Sequence, residues 1–164
     1  MFSYERAQKV CMIGSVKVGG QPGENPPLLI GNMFQKGDVI LKSRKEAAFD
    51  RKAAEERIRE VERYSRETGV PCLIAMVANA EEEIKAYIDF FVGVTSMPFA
   101  IDIWQQKTRL AAARYVAEKK LQDRCLYNTR NGLKTLIFTY IIILLQKNAR
   151  VQCSPDHKSL RWRP

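Results

Sequence analysis

The chain has 164 residues, 46% of them hydrophobic, with a formal net charge of +9. This length suits one domain with a substantial core. The charge is uneven: residues 1–128 carry 20 Lys and Arg against 17 Asp and Glu, whereas residues 129–164 carry 7 against 1, and with no RNA- or DNA-binding motif beside it the excess predicts no nucleic-acid partner.

Residues 8–18 read as a β-hairpin, two short apolar runs around the Gly14-Ser15 turn. A breaker-rich loop follows over 19–27. It is not a phosphate loop, because Gly19-Gly20 and Gly23 lack the strand-loop-helix setting and the lysine. Residues 28–32 form a short apolar strand of the kind buried in parallel sheets. Residues 33–49 read as a polar connection. Asp50 caps a helix over 51–67 whose apolar stripe is Ala54, Ile58, Val61 and Tyr64. Gly69 and Pro71 end it.

A strand over 72–77 comes next. A helix then starts at an Asn79 cap, with Glu81, Glu82 and Glu83 at the positive end of its dipole and Ile84, Ile88 and Phe91 inward. Ser96-Met97-Pro98 breaks it. A strand over 99–102 leads to a helix over 105–120, with Leu110, Ala113 and Ala117 inward, and then to a strand over 124–128. Tyr4, Tyr87 and Tyr115 read as packing residues, with no basic interleaving for base stacking.

Cys11, Cys72, Cys125 and Cys153 have no metal-ligand spacing, and His157 is the only histidine. No metal site and no Cys-His or Ser-His-Asp nucleophile is expected. No apolar stretch follows Met1–Arg6, so no leader is expected, and the reducing cytoplasm fits the unpaired cysteines. The apolar run 136–145 is half the roughly 20 residues that a spanning helix needs.

Alternating strands and helices predict an α/β fold with right-handed crossovers, in a sheet that is either open or the start of a barrel. Both place chemistry at the carboxyl ends of the strands. The candidate site residues are therefore Asn32, Asn79, Asp102 and Asn128. Asp102 either binds two N–H groups of a ligand or caps the next helix. Asn128 either binds through its amide or serves as a turn residue. Asn32 and Asn79 carry less weight, and Asn79 reads first as an N-cap.

Several stretches together resemble one family. They are 16–24, with its Gly-Gly-Gln-Pro-Gly motif, then 29–34, 49–53, 87–90, 98–102 and 123–128. In this order they resemble the H subunit of tetrahydromethanopterin S-methyltransferase, a family that includes methyltransferases acting between methyl-tetrahydropterins and corrinoid proteins. The resemblance covers about residues 1–128. It implies a (β/α)₈ barrel, of which this chain holds a hairpin and the first four β/α strands, as a truncated N-terminal half. Residues 129–164 match nothing in it. They read either as cover for an open inner face or as an out-of-frame or truncated reading of the gene.

The resemblance further implies transfer of a methyl group from N5 of methyl-tetrahydromethanopterin or methyl-tetrahydrofolate to a corrinoid (cobalamin). No cofactor is bound directly: the pterin is substrate, and a partner protein or another subunit of a methyltransferase complex carries the corrinoid. Asp102 and Asn128 match positions lying along the pterin in the family, and no catalytic residue is assigned. The implied setting is cytoplasmic one-carbon metabolism, peripheral to a membrane complex, with a homodimer as a further partner arrangement. The chain departs from the family in two places. Ala75 stands where the family has an acidic pterin contact, and Ile103-Trp104-Gln105-Gln106 replaces small polar residues, with Trp104 expected to crowd or close the pocket. Impaired activity is therefore expected. The alternative is a non-catalytic interaction subunit that docks on a corrinoid protein or membrane complex.

Overall fold

The structure, a computed structural model, describes residues 3–127. Asn128, the run 136–145 and His157 lie outside the described residues. The chain opens with an antiparallel hairpin of β1 (Val10–Ile13) and β2 (Val16–Gly19), in register Val10 to Gly19 and Ile13 to Val16. The Gly-Gly-Gln-Pro-Gly stretch after it has a structural purpose. Gly19 and Gly20 have φ of 91° and 87°, a region that L side chains rarely adopt. A Cβ on Gly19 would also collide with the Lys9 carbonyl. The Gln21 amide then ties down the N-terminal arm. Its Nε2 donates to the carbonyls of Tyr4 (3.0 Å) and Arg6 (3.1 Å), and its Oε1 accepts from the Tyr4 amide (2.8 Å).

The centre of the fold is a four-stranded parallel sheet of β3 (Leu29–Met33), β6 (Cys72–Val77), β7 (Phe99–Asp102) and β8 (Cys125–Tyr127), in that spatial order. Helices α1 (Arg51–Thr68), α2 (Glu81–Val94) and α3 (Gln106–Glu118) connect β3 to β6, β6 to β7 and β7 to β8. Successive side chains alternate between faces. Met33, Ile74, Met76, Phe99 and Ile101 pack with Ile58, Ile84, Ile88, Phe91 and Val116 of the helices in the main core. Each such fully buried side chain contributes about 2 kcal/mol of transfer free energy. Leu73, Ala75 and Ala100 form a smaller cluster on the other face, with Leu28 and Leu126 against it.

Each helix is explained locally, with corrections. In α1 the Asp50 Oδ1 accepts from the Ala53 amide (3.1 Å), and Gly69, at φ 70°, donates back to the Ser65 carbonyl (3.0 Å). Tyr64 is not in the buried row but 49% exposed. The row runs Ala54, Ile58, Val61, Ser65, and its last member hides by bonding its hydroxyl to the Val70 carbonyl (2.8 Å). In α2 the N-cap is Ala80, not Asn79. Ala80 has no side-chain acceptor, so Glu83 does the capping, accepting from the amides of Asn79 (2.6 Å) and Ala80 (3.2 Å). In α3 the buried residues are Thr108, Arg109, Ala112, Ala113 and Val116, while Leu110 and Ala117 are only half-buried. Three consecutive alanines blur the stripe, and a buried arginine conceals it. Tyr4 is 52% exposed and is no packing residue.

Residues 33–49 are not a plain polar connection. They fold back as β4 (Leu41–Ser43) paired antiparallel with β5 (Ala48–Phe49). Phe34, Ile40 and Phe49 are buried, and Phe34 stacks on Tyr87 with centroids 3.9 Å apart. Phe34 has φ of 64°, an uncommon backbone state for a bulky residue. Asp38 holds it there, accepting from the amides of Phe34 (3.0 Å) and Ile40 (3.4 Å) and from the Arg57 guanidinium (2.8 Å). Burial pushes the Asp38 carboxyl up, but these donors together outweigh it and hold its pKa below the usual carboxylate value.

Candidate functional site

The strand register fixes which side chains share the sheet face away from the helices. Asn32 is opposite Ala75, Ala75 opposite Ala100, and Ala100 opposite Leu126. Two residues further along, Val77 is opposite Asp102. The pleat therefore puts Asn32, Ala75, Val77, Ala100 and Asp102 on the face away from the helices. Asn32 lies one residue before the end of β3 and Asp102 ends β7, so both stand at the carboxyl rim. Strand spacing and rise put their Cα atoms roughly 12 Å apart.

Neither the Asn32 amide nor the Asp102 carboxylate makes a hydrogen bond or ion pair with the described residues. Asp102 is half-buried and does not cap α3, whose N-cap is Gln105. Asn79 lies past the end of β6 and enters the network through its backbone. Its amide donates to Glu83, and its carbonyl accepts from the Thr108 hydroxyl (3.2 Å). That leaves its exposed side chain on the same rim. Asn128, the remaining candidate, follows β8 outside the described residues.

Behind this rim lies a layer of buried polar groups. Glu83 is 2% exposed, and its carboxylate also faces Arg44 (3.5 Å). Arg44 in turn donates to the Phe34 carbonyl (2.5 Å). Next to them the fully buried Tyr87 hydroxyl has no hydrogen-bond partner among the described residues. Burial, aided by the Glu83 charge, pushes its pKa up to about 12. The sequence reading missed this layer. Its one visible signal was the acidic residue at the third position of α2, which was read only as a partner for the helix dipole.

Ala75 is 1% exposed in the middle of the inner row, where it offers no polar group. Trp104 does not close over the rim: its indole is 77% exposed. A concavity of about 500 Å³ runs along α1 and is lined by Lys52, Glu55, Glu56, Arg59, Glu60 and Arg63. Its charges pair within the helix, as in Arg59 with Glu62 (3.1 Å) and Arg63 with Glu60 (3.6 Å). This is a solvated helix surface. No group of three or more metal-ligating side chains occurs among the described residues, and no described helix is long and apolar enough to cross a membrane.

A mixed α/β unit with amide and carboxylate groups at the carboxyl ends of parallel strands is the class of protein that these features define. The sequence model of the tetrahydromethanopterin S-methyltransferase MtrH subunit matches residues 6–135. The chain belongs to this family. It is 40% identical over 133 residues to the tetrahydromethanopterin S-methyltransferase H subunit of Methanopyrus kandleri, covering 80% of this chain and 41% of that protein. The H subunit of Methanothermobacter thermautotrophicus is 38% identical over 131 residues, covering 80% and 42%. That of Methanosarcina barkeri is 39% identical over 133 residues, covering 80% of this chain. The chain thus spans about two fifths of the length of the relatives it matches.

Proposed function

We propose that this chain is part of a methyltransferase subunit of methanogenic one-carbon metabolism, and that its rim takes a methyl-tetrahydropterin. The observation that carries this is the shared inward face of Asn32 and Asp102 at the carboxyl ends of a parallel sheet, in a chain of the MtrH family. In this reading the sheet is the first part of a (β/α)₈ barrel, and Asn79 and Asn128 complete its share of the pterin contacts. Residues 129–164 are a segment apart from it.

The reaction transfers a methyl group from N5 of the pterin to a corrinoid brought by a partner protein or subunit. The C–N bond breaks and its electron pair returns to N5, while the cobalt(I) nucleophile supplies the pair for the new Co–C bond. An amide anion leaves poorly, so N5 must be protonated or strongly hydrogen-bonded as the bond breaks. The chain's part is to orient the ring and hold that charge in place. Asp102 can accept two N–H donors of a pterin edge, and Asn32 and Asn79 can donate and accept. No residue is assigned as catalytic. With Ala75 in the inner row the chain lacks one carboxylate there, which supports weak transfer by this chain alone.

Calorimetric titration with tetrahydromethanopterin and with methyl-tetrahydrofolate tests the reading. Binding that is lost in Asp102→Ala supports it, and absence of binding to the folded wild-type chain refutes it. The apolar Ala75 favours a second reading, a non-catalytic subunit that docks on a corrinoid protein or on a membrane complex, with or without self-association. Retained partner association without pterin binding would select it.

A further inference from the structure

The end of β3 and the start of α2 carry two of the rim residues, Asn32 and Asn79, and one side chain reaches both places. Arg44 leaves a tight turn after β4, closed by the Ala47 amide donating to the Arg44 carbonyl (3.1 Å). Its Nη2 donates to the carbonyl of Phe34 (2.5 Å), two residues past Asn32. Its Nη1 lies 3.5 Å from Glu83 Oε2. That same oxygen accepts from the amides of Asn79 (2.6 Å) and Ala80 (3.2 Å). Polar contacts thus run from the backbone of one lip, through a guanidinium and a carboxylate, to the backbone of the other. Both ends of the path are braced. The Phe34 amide donates to Asp38 (3.0 Å), and the Asn79 carbonyl accepts from the Thr108 hydroxyl (3.2 Å).

Stability alone does not call for this arginine. Two charges taken out of water are repaid only by very good geometry, and apolar residues of similar volume often hold a fold as well. Here Glu83 is 2% exposed, and Arg44 Nη1 has no hydrogen-bond partner among the described residues. The cap of α2 needs the carboxylate and not the guanidinium. What a guanidinium adds is a rigid plane with its donors in a fixed fork, so two groups held by its two terminal nitrogens keep a set separation. We infer that Arg44 is a positioning residue for the rim: through the Phe34 carbonyl and Glu83 it sets the gap between the Asn32 and Asn79 amides, and so the ligand edge that both can meet at once. Arg44 itself touches no ligand. The inference rests on the pterin reading above and deepens it. A misplacement of about 1 Å between groups that act on one ligand can cost a hundredfold.

The test uses the full chain and calorimetric titration with tetrahydromethanopterin. Arg44→Lys keeps a cation beside Glu83 without the planar fork. Arg44→Met combined with Glu83→Gln removes both charges together, so that neither is left buried alone, and the introduced side-chain amide can still cap α2. The expected result is binding roughly tenfold to hundredfold weaker in each, with a cooperative melting transition retained. A second effect separates positioning from a role in stability alone. In an Asn79→Ala background there is no second amide to place, so Arg44→Lys should weaken binding by less than about threefold. Losses that multiply instead, or unchanged binding in Arg44→Lys and in the double variant, overturn the clamp and leave the pterin reading standing. Unchanged binding in Asn79→Ala overturns it as well, since the clamp would then have nothing to place. Where Asn79→Ala abolishes binding, the same cycle is run with Asn32→Ala. Absence of binding by the folded parent overturns both readings.

Discussion

The two ends of the parallel sheet are built on opposite terms. At the amino ends of the strands, polar groups are satisfied by protein. The Arg124 guanidinium donates to the carbonyls of Thr95 (2.7 Å) and Met97 (2.7 Å), and its Nε to Met97 again (3.2 Å). The Thr95 hydroxyl bonds Glu62 of α1 and accepts from the Met97 amide (3.0 Å). The Gly14 amide at the hairpin turn donates to the Asp123 carbonyl (2.5 Å), closing the hairpin onto this end. At the carboxyl ends the Asn32 and Asp102 side chains make no hydrogen bond with the described residues, and the layer behind them is spent on structure. An end whose polar groups satisfy each other stabilises. An end that keeps donors and acceptors in reserve can bind.

The sharpest way to break this contrast is Glu83→Ala. It removes the buried acceptor of two amides and takes away the carboxylate facing Arg44, which keeps its bond to the Phe34 carbonyl, at an expected cost of about 4 kcal/mol. A denaturation midpoint unmoved by that change would mean that the backing layer is not structural. Arg124→Ala should cost about 3 kcal/mol by orphaning two carbonyls at the amino end, with the slope of the urea transition unchanged and pterin affinity of the folded fraction intact. Loss of affinity there would join the two ends that the contrast separates.

Tyr87→Phe acts in the other direction. Removing a buried hydroxyl that has no partner among the described residues should stabilise by about 1 kcal/mol. The same variant has a pH signature. The folded pKa of Tyr87 is raised from 10.0 to about 12, so its neutral form favours folding. That contribution is complete below pH 10 and is lost as pH rises through 12. The stability gap between Tyr87→Phe and wild type should therefore widen from pH 10 to 12, as followed by urea midpoints. A constant gap would place the hydroxyl in water. The smallest expected effect on stability is that of Asp102→Ala, under about 0.5 kcal/mol, although it should abolish pterin binding. A large fall in melting temperature would give Asp102 a structural role and remove it from the site.

How far the fold was legible depended on whether a residue's chemistry matched its environment. α1 and its ends were readable because an Asp cap, an apolar row and a Gly-Val-Pro stop each obey a local rule. β6 and β7 were readable because parallel strands are apolar on both faces. The β4–β5 excursion was not, since its many charged residues read as loop while Phe34, Ile40 and Phe49 are held apart in sequence. The buried row of α3 was misplaced because Arg109 and Thr108 lie inside it. Asn79 was assigned as a cap on residue type alone, whereas a glutamate four residues later does that work.

By itself the sequence determined the alternation of the parallel strands with the three helices, both ends of α1 and the family. Each of these depends on residues close in the chain or on a motif. Only the tertiary structure decided which face Asn32 and Asp102 share, because strand register is a contact between segments distant in the chain, as Asn32 with Ala75 and Ala75 with Ala100. It alone also showed that Glu83 lies buried, since burial belongs to what surrounds a side chain and not to its type.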